Sequence, residues 1–297
     1  MVDSVALVKY EGDLGKALEE GIELLGGFGV LKSPFILKPN ICTGVDKTGF
    51  AITDVKIVEA LINLVLEEDR NLSVKIVESD SMSKFADEAF EKFGYKSLEE
   101  KMRNSGFDVS LVNLSRSPTV QVKLDGLYFK NPELPNVIAG PKYFVSMAVA
   151  KTHYLTFITG TIKNLFGLLP RKDQSFYHAN INEVIVDLNR LVRPDLCIVD
   201  ARVGLEGWEG PKTRRLDTFI LGRKPVSVDA TMARVMGFQP ERIRHLVEAE
   251  RYGLGILDPK VLGESVQSTA VEFKPPSNLK STAMHAYSVE TTVLFPA

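Results

Sequence analysis

Between Lys151 and His178 the chain reads KTHYLTFITGTIKNLFGLLPRKDQSFYH, and these 28 residues hold two of its four histidines. Lys151, Thr152 and His153 follow directly on the apolar run Tyr143 to Ala150. A run of that kind is expected to form a buried strand, and its polar end would stand at the mouth of an α/β sheet, where such folds bind ligands. Thr159, Gly160 and Thr161 come next, then Lys163, Asn164, Gly167 and His178. A glycine flanked by hydroxyls lets backbone N–H groups face an anion, and a helix beginning there adds its positive end. A lysine adds charge, and an imidazole can carry a proton near neutral pH or bind a metal. The alternative is a strand-to-helix connection with incidental polar residues.

Three further strand ends carry comparable groups. Lys38, Pro39 and Asn40 follow the short apolar run Phe35 to Leu37. Glu78, Ser79, Asp80 and Ser81 follow Ser73 to Val77, and there Asp80 reads either as a cation ligand or as the N-cap of the next helix. Asp200 ends Leu196 to Val199 and leads into the loop Gly204 to Pro211, which holds Glu206, Gly207, Gly210 and the only tryptophan. So many glycines in one loop either bend it tightly or bring its backbone against a ligand.

These groups suggest one cavity. His153 would act as general acid and base, with Lys163 and Lys38 holding an anion or stabilising developing negative charge. Asn40, Lys151, Thr159, Gly160, Thr161, Asn164, Gly207 and Gly210 would bind substrate. His178 with Asp80, Asp200 and Glu206 would complete a site for a divalent metal ion. The substrate expected is a small carboxylate or phosphate metabolite, handled by metal-assisted proton transfer of a racemase or isomerase kind.

The elements that must position them alternate along the chain. Asp13 opens a helix with Leu14, Leu18, Ile22 and Leu25 on one face, and Thr53 is expected to cap another with Val55, Val58, Leu61, Ile62 and Val65. Asp125-Gly126 suggests a hairpin within Val120 to Phe129. Val226 to Met236, carrying Asp229, and Glu241 to Tyr252, carrying His245, read as helices, and Val271 to Phe273 as a last strand. His285 falls in a tail without clear pattern. The prediction is α/β: a largely parallel sheet with flanking helices and a mixed or hairpin portion. Residues 1–297 would form one such unit, as a single body or as two intimate lobes meeting near 140–160.

Composition narrows the class. The 297 residues are 44% hydrophobic and 25% charged, ordinary for a globular protein with ample core. A net charge of −2 gives no global attraction for nucleic acid or an anionic membrane. With neither a signal-like start nor a spanning apolar run, the expectation is cytoplasmic. Cys42 and Cys197 lie far apart and cannot supply four thiolates, so this chain is not expected to carry an iron–sulfur cluster.

The order KPN at 38–40, KTH at 151–153, TGTIKNLFG at 159–167, His178, Asp200, LEGWEGP at 205–211, VDA at 228–230 and GLG at 253–255 resembles the family called domain of unknown function 362. The resemblance runs from about Val5 to Gly263 and implies a fold and a site rather than a reaction. Many members of that family carry an added ferredoxin-like domain, and this chain lacks the cysteines for one. A separate ferredoxin-like protein is therefore an implied partner. The series His153, Gly160, Lys163, Gly167 and His178 is similar to a segment of nickel-dependent lactate racemase, which implies a related scaffold. It would make His153 the acid/base group, Lys163 the anchor of a nickel pincer cofactor and His178 a metal ligand. Asn164 and Leu165 depart from that pattern and no second upstream histidine matches, which argues against carrying the nickel cofactor over. Under a second class of function the protein would be a non-catalytic or redox accessory, with Lys151, Lys163, Arg171 and Lys172 as a docking face for an acidic partner. A homodimer is also expected.

Overall fold

A computed structural model describes residues 3–210 and 212–276. Pro211 and His285 lie outside the described residues. The chain opens with β1 (Ser4–Lys9), α1 (Leu14–Leu24), β2 (Phe35–Pro39), α2 (Val55–Glu68) and β3 (Val74–Glu78). Then come α3 (Ala86–Lys92), α4 (Tyr95–Asn104), β4 (Val109–Asn113), β5 (Thr119–Gln121), β6 (Glu133–Pro135) and α5 (Asn136–Ala139). The central strand β7 (Tyr143–His153) leads through β8 (Phe157–Ile158) to α6 (Gly160–Asn164) and α7 (Ile181–Val192). The long strands β9 (Leu196–Glu206) and β10 (Lys212–Gly222) precede α8 (Pro225–Val235), α9 (Arg244–Arg251), β11 (Lys260–Gly263) and α10 (Val266–Thr269).

The strands form one large sheet in the order β11-β1-β10-β9-β7-β2-β3-β4, with β8 paired to β7, and β5 with β6 makes a separate two-stranded ribbon. From β9 to β4 every neighbour is parallel. Antiparallel pairing enters where β10 joins β9 and β1. The α/β class with a mostly parallel sheet and an antiparallel portion is therefore what the chain adopts.

Each face of the sheet buries its own apolar cluster. On one side lie Leu18 and Ile22 of α1, Val58, Leu61, Ile62 and Val65 of α2, and Phe90 and Tyr95 from α3 and α4. On the other lie Ile162, Leu165, Val184, Ile185 and Leu188 with Met232 of α8 and Leu246 of α9. The central strands are buried on both faces, as β7 shows with all eleven residues covered. That is why they read as unbroken apolar runs.

Local chemistry agrees with expectation at the start of α1 and differs at several other points. Asp13 caps α1, accepting from the Lys16 N–H at 3.1 Å. Asp54, not Thr53, caps α2. The Thr53 hydroxyl instead accepts from Asn40 N–H at 2.8 Å and donates to the Met147 carbonyl at 3.0 Å, tying β2 to β7. β9 does not stop at Asp200 but continues to Glu206, and the glycine-rich loop is the tip of a β9–β10 hairpin. Val271 to Phe273 is not a strand; its N–H groups bond to the end of α8. His245 is fully buried in the core.

The hairpin expected around Asp125-Gly126 is a longer ribbon closed by a carboxylate. Asp187 of α7 is fully buried and accepts from the N–H groups of Leu127, Tyr128 and Phe129 at 3.0, 2.8 and 3.0 Å, and from Arg190 at 3.0 Å. Gly126 is needed there because a methyl group would fall on that carboxylate. Gly126→Ala should destabilise the protein by about 2–4 kcal/mol in urea unfolding, because it displaces a buried carboxylate from three donors.

Candidate functional site

Because β9, β7, β2 and β3 are adjacent and parallel, the C-terminal ends of the last three open onto one edge. A cavity of about 230 Å³ lies there. Lys38 and Asn40 enter from β2, Glu78 and Lys84 from β3 and the loop after it, and His153 from the end of β7. Lys163, Asn164 and Gly167 enter from α6 and the turn beyond, His178 from the segment before α7, and Trp208 from the hairpin tip. His153, Lys163 and His178, far apart in sequence, therefore face one space.

Lys38 is buried against Glu78. Its Nζ donates to Glu78 Oε2 at 2.7 Å and to the Pro39 carbonyl at 2.7 Å. Lys84 Nζ stands 3.4 Å from Glu78 Oε1 and also bonds the Ser79 carbonyl. Burial lowers the Lys38 pKa, and Glu78 opposes that shift. Gly167 abuts this triad: a Cβ there would lie 2.9 Å from Glu78 Oε1 and 3.0 Å from Lys38 Nζ. The glycine of the NLFG segment is thus a close-approach residue.

Lys151 is buried beneath the cavity and held by Asn40 Oδ1 at 2.9 Å, the Ala51 carbonyl at 2.7 Å and Cys42 Sγ at 3.4 Å. Asn164 donates from Nδ2 to the Lys38 carbonyl at 2.9 Å and the Ser146 hydroxyl at 3.1 Å. Asn40 and Asn164 line the cavity, but these bonds make them chiefly a brace between strand ends.

Lys163 is different. Half-buried over the Phe166 ring at 5.7 Å, it makes no salt bridge among the described residues. Withdrawal from water, and then the positive charge of Lys151, bring its pKa down to about 8. His153 accepts the Leu155 N–H on Nδ1 at 3.1 Å, which makes Nε2 the protonated nitrogen of the neutral ring. Burial and the nearby Lys163 and Lys151 hold its pKa well below the usual histidine value. At neutral pH His153 is therefore an uncharged donor rather than a ready base.

The Thr-Gly-Thr cradle is already filled by the protein. Asp229 of α8 accepts from Thr161 N–H at 2.7 Å, Thr161 hydroxyl at 2.8 Å and Ile162 N–H at 2.9 Å. A Cβ on Gly160, whose φ is +86°, would sit 2.6 Å from that carboxylate. Thr159 donates to the Val149 carbonyl at 3.0 Å. Thr159, Gly160 and Thr161 thus seat an internal anion and do not line the cavity.

The expected metal quartet does not come together. Asp80 accepts from Ala86 N–H at 2.8 Å at the start of α3 and from Asn113 Nδ2 at 3.1 Å, although the N-cap position of that helix is Phe85. Asp200 pairs with Arg202 at 2.9 Å, and Glu206 with Arg214 at 2.9 Å. Of the four residues only His178 lines the cavity. Among the described residues no three His, Cys, Asp or Glu side chains are grouped to hold a metal. The four residues expected to hold a divalent ion therefore do not form one donor set. Gly207 and Gly210 shape the hairpin tip, with Gly207 at φ +97°, and so place Trp208 over the cavity rather than lining it themselves.

Sequence reasoning passed over Glu78, Lys84 and Cys42, all of which line the cavity. Glu78 was legible: it directly ends an apolar strand, whereas Asp80 lies two residues further on.

The model of the family described as domain of unknown function (DUF362) matches residues 36–234, about two-thirds of the chain. The chain belongs to the DUF362 family. The match spans β2 through nearly all of α8, and so contains every residue of the cavity. The protein is also similar to the "Thylakoid-associated protein sll1697" of Synechocystis sp., at 26% identity over 325 residues, covering 97% of this chain and 95% of that one. No helix among the described residues is long and apolar enough to cross a membrane. The DUF362 landmarks TGT and VDA are distant in sequence and meet as the Asp229 cap.

Burial raises the Asp229 pKa to about 7, against the three bonds that favour its ionised form. The folded state then keeps a proton that the unfolded chain loses near pH 4, so this group's stabilisation falls as pH rises from about 4 to 7. Asp229→Asn points an NH₂ at three donors and removes that titration. It should cost roughly 1–3 kcal/mol at pH 5, with the gap to the wild type narrowing toward pH 8 in urea unfolding.

Proposed function

We propose that the protein is an enzyme that binds a small anionic metabolite at Lys163 and moves a proton beside its carboxyl or carbonyl group, in the manner of an isomerase or racemase. One observation carries this reading: a lysine ammonium without a salt-bridge partner among the described residues shares a cavity with two imidazoles. An unpaired cation drawn partly out of water is costly, and an anionic ligand repays that cost.

Roles follow from the geometry. Lys163 anchors the anion. The Nε2–H of His153 donates to the oxygen on which negative charge develops, a role suited to an imidazole that stays neutral. His178 is the second imidazole on the cavity and takes the proton from carbon. The Lys38–Glu78–Lys84 triad holds the opposite wall positive. No metal step enters, because the carboxylates expected to bind one are committed to arginines and to a helix start.

Of the four residues of the docking alternative, Arg171 and Lys172 are exposed and the other two are not. Lys151 is 1% exposed and cannot meet a partner's surface, while Lys163 turns into a cavity with His153.

Solvent-deuterium exchange into a panel of 2-hydroxy, 2-oxo and 2-amino acids, followed by NMR, tests the reaction. Exchange should occur with at least one of them and fall by roughly 10²–10⁴-fold in His178→Ala. Absence of exchange across the panel would refute the proton-transfer reading.

Lys163 also predicts a separation of binding from stability. Its charge is lost as pH rises through about 8, so carboxylate affinity should decline by about tenfold per unit above that pH and be pH-independent in Lys163→Met. The ammonium is disfavoured in the folded state below pH 8 and that penalty fades toward the unfolded pKa of 10.5. Lys163→Met should therefore bind anions at least about tenfold more weakly at pH 7, yet be more stable by roughly 1 kcal/mol after allowance for its partial exposure.

A further inference from the structure

The proposed function fixes the sign of the ligand's charge. The cavity wall carries information about its amount and its spacing as well, and the following inference rests on that reading of the site.

Three lysines, Lys38, Lys84 and Lys163, line the cavity against one carboxylate, Glu78. Glu78 is shared: Oε2 meets Lys38 at 2.7 Å and Oε1 meets Lys84 at 3.4 Å. One negative charge between two positive ones leaves that wall with a surplus of a single positive charge. Lys163 is the second positive centre, and no carboxylate offsets it among the described residues. The surplus therefore sits in two places rather than one.

The two centres are joined by one short stretch of chain. Gly167 touches the triad, its Cβ position being 2.9 Å from Glu78 Oε1 and 3.0 Å from Lys38 Nζ. Lys163 lies four residues earlier, along α6 and the tight helical turn that continues it. The cavity lining also includes the apolar Leu155, Phe166 and Trp208.

We propose that the cavity takes a dianion with its charges on two separate groups, one on Lys163 and one on the Lys38–Lys84 side, joined by a short carbon spacer. A monoanion would leave one positive charge uncompensated as the cavity loses water, which is unfavourable in a low-dielectric site. The aliphatic spacer lies against Leu155 and Phe166.

Calorimetric titration of the full chain at pH 7.5 with three probes decides the matter. Butyrate carries one charge, succinate two on separate carbons, and propyl phosphate about two on one group. Succinate should bind at least about tenfold more tightly than either of the others. Butyrate binding as well as succinate would overturn the two-charge inference while leaving an anion site intact. Propyl phosphate matching or exceeding succinate would overturn the two-centre form in favour of one focused hole. Failure of all three to bind would instead sink the underlying anion reading. In Lys84→Met the preference for succinate over butyrate should shrink toward unity. Should that variant not fold, the wild-type ratios still decide the question.

Discussion

A buried carboxylate seated on the start of a short helix holds the site together. α6 has only five residues, too few to be stable alone. Asp229 supplies what it lacks, accepting from the first N–H groups and from the Thr161 hydroxyl. A carboxylate at a helix N-terminus is favoured by the helix dipole as well as by these bonds. Because α8 packs against β9 and β10, the cap ties α6 to the rigid sheet. Lys163 and Asn164 are carried on the segment so fixed. Were the cradle vacant, the same N–H groups would compete for a substrate anion. Filled from inside, they leave the ligand's charge to the lysines.

The second constraint is the sheet itself. Parallel pairing from β9 to β4 makes every strand in that stretch end at the same edge, so residues 38, 78 and 153 converge without long loops. Thr53 and Asn164 then stitch the ends of β2 and β7 through backbone carbonyls. Lys151, buried and satisfied by three acceptors, adds positive potential from below without touching the cavity. The cavity is thus electropositive in its floor and walls, and the neutral state of His153 follows from that field together with burial.

How much of this was legible in the residues varies with the range of the interaction. Apolar runs ending in KPN and KTH located the site because a buried strand and its end are local patterns. The α/β class followed from alternation alone. Partners across long distances were hidden: Asp229 was visible as a helical residue, yet nothing nearby said it would occupy the Thr161 cradle, 68 residues away in the chain. Asp200 looked like a free strand-end carboxylate and Glu206 like a free loop carboxylate, because the sequence does not show that Arg202 and Arg214 turn back onto them. The extension of β9 to Glu206 was missed because Gly204 and Gly207 mimic a loop, although only the second lies in the hairpin tip. Glu78 was overlooked in favour of Asp80 because both were judged by type rather than by which one ends the strand.

The two kinds of lysine in the cavity state the logic of the site. Lys38 is buried and paired: burial lowers its pKa, and the ion pair with Glu78 opposes that shift. Lys163 shares the desolvation without the partner, and its pKa falls to about 8 in consequence. Folding alone gains nothing by withdrawing an unpaired ammonium from water; a methionine would pack the same space at lower cost. On the proposed reading, a residue that weakens the fold yet faces a cavity lined by two imidazoles is accounted for by an anion that binds there. The opposite assignment holds for Asp187 and Lys151, whose buried charges are matched by several hydrogen bonds each, and for Asp229, whose carboxyl group accepts three; all belong to the scaffold.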